Sequence, residues 1–136
     1  MKKFKRIWKM VFGVILIIFI TIGFILAYEF KELKELDYTE IDMSAIKNGT
    51  YRGSTSTLLV KATIDVTVED NKIIKIDIVQ HKHGMGEKAE DIVMRMKEQN
   101  SYNVDVISGA TISSEVIKNA TNKALEKGMR SSSGNY

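Results

Sequence analysis

The chain has 136 residues, room for one small domain with an appendage. It contains no cysteine, which excludes disulfides, thiol catalysis, cysteine-based zinc sites and a lipid-modified cysteine anchor. The net charge is +3, but Lys2, Lys3, Lys5, Arg6 and Lys9 all precede the first apolar run, leaving 15 basic against 17 acidic residues, a net −2, in the rest. The basicity belongs to this N-terminal tag, so no nucleic acid partner is expected.

Met10 to Tyr28 is a run of 19 residues without a charge. As a helix it would be about 28 Å long, close to the hydrocarbon thickness of a bilayer. The apolar core of a cleaved signal peptide is shorter, about 7–15 residues, and Leu26-Ala27-Tyr28-Glu29 is a poor cleavage site. A buried core helix is disfavoured, because nothing else in so short a chain could cover it. The run therefore reads as an uncleaved transmembrane anchor over residues 10–28. The basic flank, residues 1–9, places the N-terminus in the cytoplasm and the remainder outside. It could also contact anionic membrane lipid. Residues 29–45 are rich in Glu and Lys, with Phe30, Leu33 and Leu36 about three apart, and read as a helical stalk or a charged linker.

Asn48 to Gly53 reads as a turn into a short strand. Val60, Ala62, Ile64, Val66 and Val68 then alternate with polar residues, the period of a half-buried strand. Glu69 to Lys72 is a turn, and Ile74, Ile76 and Ile78 form a second stripe, which completes a β-hairpin. On this period His81 and His83 share a strand face. With no cysteine and no third histidine, no metal site is expected there. Glu87 to Gln99 reads as a helix with Ala89, Ile92, Val93 and Met96 on one side. Met94 and Met96 are read as packing residues ahead of ligand contacts.

A second helix follows Ser113, with Val116 or Ile117, Ala120 and Ala124 at helical spacing and Gly128 as its stop. Residues 129–136 are expected to be disordered. The expected fold class is α+β: a small antiparallel sheet with two packed helices over residues 46–128, preceded by one N-terminal transmembrane helix.

The chemistry concentrates in Asp105-Val106-Ile107-Ser108-Gly109-Ala110-Thr111, followed by Ile112 and Ser113. Gly109 allows a tight turn and close approach by a ligand. Ser108, Ala110 and Ser113 are small. Thr111 falls at the start of a helix, where free N–H groups and the dipole favour an anion. An ordinary loop and helix cap would use similar residues. No Ser-His-Asp arrangement is evident, and no catalytic residue is assigned.

This stretch, Asp-x-x-Ser-Gly-Ala-Thr, resembles the flavin-attachment motif of FMN-binding domains. That family includes the covalent-FMN subunits of the sodium-pumping quinone reductase and of the Rnf complex, and many small membrane-anchored relatives. The resemblance implies FMN joined by a phosphoester to Thr111, with Asp105, Ser108, Gly109 and Ala110 as recognition sequence. A separate flavin transferase would make the bond, using FAD as donor. On helix-cap grounds, the phosphate oxygens are expected to replace the Thr111 hydroxyl as cap for the backbone N–H groups of Ile112, Ser113 and Ser114. Gly49-x-Tyr51-x-Gly53 is similar to the segment that opens the family's fold. His81, His83, Gly84 and Gly86 match a glycine-containing loop that borders the flavin, although the Thr-Pro-Gly form of the large complexes is missing here. The function implied is an electron relay on the outer membrane face. A membrane donor (quinol or a redox complex) would reduce the flavin and an extracytoplasmic acceptor would oxidise it. A non-redox binding module at the membrane and a small flavin-dependent reductase are the alternatives.

Overall fold

The computed structural model describes residues 1–82 and 86–133. His83 and Gly84 lie outside the described residues, as does the end of the tail at 134–136.

Helix α1, Lys2–Lys34, contains the uncharged run and continues past it. An apolar run in lipid must satisfy its backbone polar groups internally, and a helix does so. Lys31 and Lys34 in the last turn complement the helix dipole. This helix is long and apolar enough to cross a membrane: its most apolar window has a mean hydropathy of 3.0 and is not buried by the rest of the chain. A signal sequence at the N-terminus passes the same test of length and composition.

Three antiparallel strands follow in the order β1-β2-β3: β1 Gly49–Ser56, β2 Lys61–Glu69 and β3 Lys72–Lys82. The β2–β3 turn runs through Asp70 and Asn71, both at positive φ (48° and 63°), the backbone that suits a two-residue hairpin. Ala62, Ile64, Val66 and Val68 are fully buried on one face of β2. On the other face Arg52 grips Asp65 through two 2.6 Å hydrogen bonds and holds its carboxyl below the usual carboxylate range.

The stripe expected from Ile74, Ile76 and Ile78 is broken. Thr67 pairs with Lys75 but Val68 with Ile73, and Ile64 pairs with Ile78 but Thr63 with Gln80. Ile74 and Val79 are thus extra residues in β3, and each is exposed. Each bulge reverses which residues face the core. Ile73 replaces Ile74 inside, and His81 turns inward opposite Ala62.

The helix expected over residues 87–99 begins as a 3₁₀ turn, Glu87–Asp91, before α2, Ile92–Gln99. Residues three apart share a face in a 3₁₀ turn. This geometry buries both Ala89 and Ile92. Met96 is buried and Met94 exposed. Asn100, left-handed at the end of α2, accepts from Ile73 N–H and donates to Asn71 C=O, tying that end to the hairpin.

Helix α3, Thr111–Ser133, lies across β1 and β2 with Val116, Ile117, Ala120, Ala124 and Leu125 buried. It continues through Gly128 for five more residues, so this glycine is not the expected stop. A Cβ there would come within 2.7 Å of Ile46 Cγ2 and 2.9 Å of the Tyr51 ring. Gly128 serves close packing. Gly53 does the same more severely: a Cβ would lie 1.8 Å from the Ala120 carbonyl oxygen and 2.6 Å from Ala124 N. A Gly53→Ala variant is expected to lose about 3 kcal/mol or more of unfolding free energy, at or beyond the top of the usual overpacking range, because backbone atoms cannot step aside. Urea melts followed by circular dichroism measure it; an unchanged midpoint would contradict the contact.

Candidate functional site

The chain before α3 makes a tight turn in which Ala110 N–H donates to Ile107 C=O at 3.0 Å. Gly109 sits in this turn at φ +79°, a conformation open to glycine at little cost. Ser114 closes the turn from within the helix, its hydroxyl accepting from Ile107 N–H at 3.0 Å. Its own N–H donates to Ala110 C=O at 2.9 Å, the first turn of helical bonding.

The N–H groups of Thr111, Ile112 and Ser113 therefore have no carbonyl partner inside the helix. Thr111 is exposed and Ser113 buried. A phosphate at this helix start would find three donors on residues 111–113 and the positive end of a 23-residue helix.

A cavity of about 480 Å³ opens beside this turn. Gly109, Ala110, Thr111, Ile112 and Ser113 form one side of it, and Gly86 contributes from the segment after β3. The remaining lining residues are apolar: Leu59 and Val60 from the β1–β2 loop, and Phe30 from α1. The volume falls within the roughly 300–1,000 Å³ typical of small-molecule sites. A cavity lined by apolar side chains together with a helix start suits a flat aromatic ligand carrying a phosphate.

Residues 60–126 match the family model of the FMN-binding domain. The chain carries a domain of the FMN-binding domain family. FMN is the cofactor this membership supports, and the residues around the cavity fit it. The first-turn N–H groups and Thr111 would hold the phosphate end, and Phe30, Leu59 and Val60 would face the ring. With its N-terminal apolar helix, the chain fits a membrane-anchored flavin-binding protein.

The residues singled out in the sequence are not all brought to the cavity. Gly86, Gly109, Ala110, Thr111, Ile112 and Ser113 line it together. Asp105 and Ser108 are exposed on the preceding loop and do not line it; the Asp105 carbonyl accepts from Arg95 Nη1 at 3.3 Å. His81 does not line it either. The inward turn imposed by the bulge at Val79 leaves its side chain 1% exposed, with Nδ1 3.0 Å from Glu90 Oε1. Phe30 and Leu59 were not singled out. The signal for them was a phenylalanine just after the uncharged run, and two adjacent leucines between polar strand ends.

Phe30 reaches the cavity because the end of α1 is bonded to the domain. Glu29 is fully buried. One carboxylate oxygen accepts from the Thr57 hydroxyl and the other from Leu59 N–H at 3.2 Å. One turn on, Glu32 accepts from Leu58 N–H at 2.7 Å. The chain after α1 then straps along α3. Asn119 donates to Asp37 C=O, and Asn122 both donates to Thr39 C=O and accepts from Thr39 N–H. Tyr38 stacks on Tyr102 and donates to Glu115 Oε2 at 2.8 Å. Burial and the adjacent Glu115 carboxylate push the Tyr38 phenol well above its ordinary pKa.

Glu29→Ala removes the acceptor for Leu59 N–H at a buried position, where an abandoned donor costs about 1–3 kcal/mol. Hydrogen exchange at the Leu59 amide is expected to accelerate by about tenfold or more, the equivalent of about 1.4 kcal/mol, while exchange in β2 stays slow. An unchanged Leu59 rate would show that the carboxylate does not hold the loop.

Proposed function

We infer that this chain is a flavoprotein in which FMN is attached to Thr111, and that it relays electrons from a membrane donor to an acceptor outside the cytoplasm. The observation that carries the reading is the position of Thr111: an exposed hydroxyl on the first residue of a helix, at the wall of a cavity, inside the sequence Asp-x-x-Ser-Gly-Ala-Thr.

Attachment calls for a separate flavin transferase, because among the described residues no base is hydrogen-bonded to the Thr111 hydroxyl. In that step the Thr111 oxygen forms a bond to the FMN phosphorus of FAD. The pyrophosphate bond breaks, AMP leaves, and the hydroxyl proton passes to a base on the transferase. The phosphoester keeps a negative charge, which the free N–H groups of residues 111–113 and the helix dipole stabilise. The Ser114 N–H is already used by Ala110, so the phosphate draws on the three residues before it.

When bound, flavin supplies the electron chemistry, and the chain supplies attachment, orientation and a dry wall. A covalently held cofactor cannot diffuse away on the outer face, where none is resupplied, and this suits a relay better than a soluble enzyme. The transmembrane reading of α1 puts the domain outside, by the basic flank of residues 1–9.

Intact mass after co-production with a flavin transferase tests attachment. The expected product carries one FMN less a water, is yellow, and keeps its colour on denaturation. Thr111→Ala is expected to lose the adduct completely while folding normally. An unmodified peptide spanning residue 111 in the parent chain would overturn the assignment. Gly109→Ala, strained at φ +79° by roughly 1 kcal/mol, is expected to fold and to slow attachment without abolishing it, followed as adduct mass against time.

A further inference from the structure

We propose that the β1–β2 loop is a membrane-contacting lip, in which Leu58 and Leu59 enter the lipid interface while Lys61 and Lys82 meet anionic headgroups. The inference rests on the reading of α1 as a membrane span and goes beyond it, since it concerns a second contact made by the folded domain.

The height of the loop is fixed by hydrogen bonds. The uncharged part of α1 ends at Tyr28. Leu59 N–H is bonded to Glu29 and Leu58 N–H to Glu32. The loop therefore lies alongside the first turn of α1 beyond the uncharged run, its two anchoring residues within about 6 Å of the end of that run along the helix axis. Its two leucines are 56% and 45% exposed, although the rest of the loop is drawn inward by Thr57 and Val60. Phe30, on the same turn of α1, is 49% exposed. Three large apolar side chains thus stand at the level where hydrocarbon gives way to headgroups, the depth at which apolar side chains of interfacial segments bury.

The charge pattern fits the same surface. Lys61 and Lys82 are direct partners across β2 and β3, both on the face away from α3, and both at the end of the sheet that carries the loop. Neither has an ion pair among the described residues. Like charges opposite one another in a sheet are destabilising, and an anionic lipid surface removes the penalty. The other end of the sheet carries Glu69, Asp70, Asn71 and Lys72, a mixed and polar turn. Because Leu59 also lines the cavity, a seated lip places that cavity at the bilayer surface.

The chain lacks cysteine, so single cysteines carrying an environment-sensitive dye can be placed at will in the full-length protein in nanodiscs. Leu59→Cys and the more exposed Leu58→Cys are expected to give blue-shifted emission quenched by lipids spin-labelled near the headgroup. Glu69→Cys, at the far end of the sheet, is expected to emit as in water. Ile18→Cys in the middle of α1 reports the span itself and is expected to be quenched by lipids labelled deep in the acyl chain. If Ile18 is quenched and neither leucine position is, the lip is overturned and the span stands. If Ile18 is unquenched, the span reading fails first and the lip with it. Adding phosphatidylglycerol to phosphatidylcholine discs is expected to increase quenching at Leu59, and Lys61→Gln with Lys82→Gln to remove the increase. Quenching indifferent to phosphatidylglycerol would overturn the role of the lysines.

Discussion

Helix α3 lies on strand β1 at a distance that only a missing side chain permits. Gly53 faces the backbone of Ala120 and Ala124, and the small residues of α3 continue the contact along the sheet. Two rigid elements meeting backbone to backbone have little freedom to slide, because any side chain added at the crossing would push them apart. That contact determines where α3 begins and which way its first turn points. The row of free N–H groups, the turn at Gly109 and the Thr111 hydroxyl are placed by it. Gly128 repeats the device near the other end, against Ile46 and Tyr51, so the helix is held at two points.

A second constraint joins the domain to the N-terminal apolar helix. A buried carboxylate is costly unless its oxygens are bonded, and Glu29 answers this with a hydroxyl and a backbone N–H from the β1–β2 loop. Asn119 and Asn122 then bind the strap of residues 37–39 by its backbone. The apolar helix is thus not hung from the domain by a loose linker. Its last turns form part of the cavity wall through Phe30. The cavity therefore keeps a fixed position relative to the end of α1, because Glu29 and Glu32 hold that end to the β1–β2 loop.

Much of this was legible in the chain. The apolar run, the alternation of β2, the hairpin turn at Asp70 and Asn71 and the small-residue motif before α3 are local patterns, each carried by the period or turn chemistry of its own element. What was not legible depended on contacts between elements. A bulge leaves no reliable mark in a run such as Ile73 to Val79, where isoleucines and valine stand at both odd and even positions and only Lys75 and Asp77 are polar. The two bulges nevertheless reverse the face of β3 and send His81 inward. Gly128 reads as a helix stop by composition. Only the presence of Tyr51 and Ile46 across the gap makes it a packing residue in a helix that continues.

The Asp-x-x-Ser-Gly-Ala-Thr motif, the family resemblance it carries and the N-terminal apolar helix were therefore decided by residue order alone, because each is a property of a continuous stretch. The cavity was decided by the tertiary structure. Its walls come from α1, the β1–β2 loop, the segment after β3 and the start of α3, stretches up to about eighty residues apart in the chain. No local pattern records that a phenylalanine beyond the apolar run will line the same cavity as a threonine at a helix start. That follows only when Glu29 docks on the loop and α3 closes on Gly53.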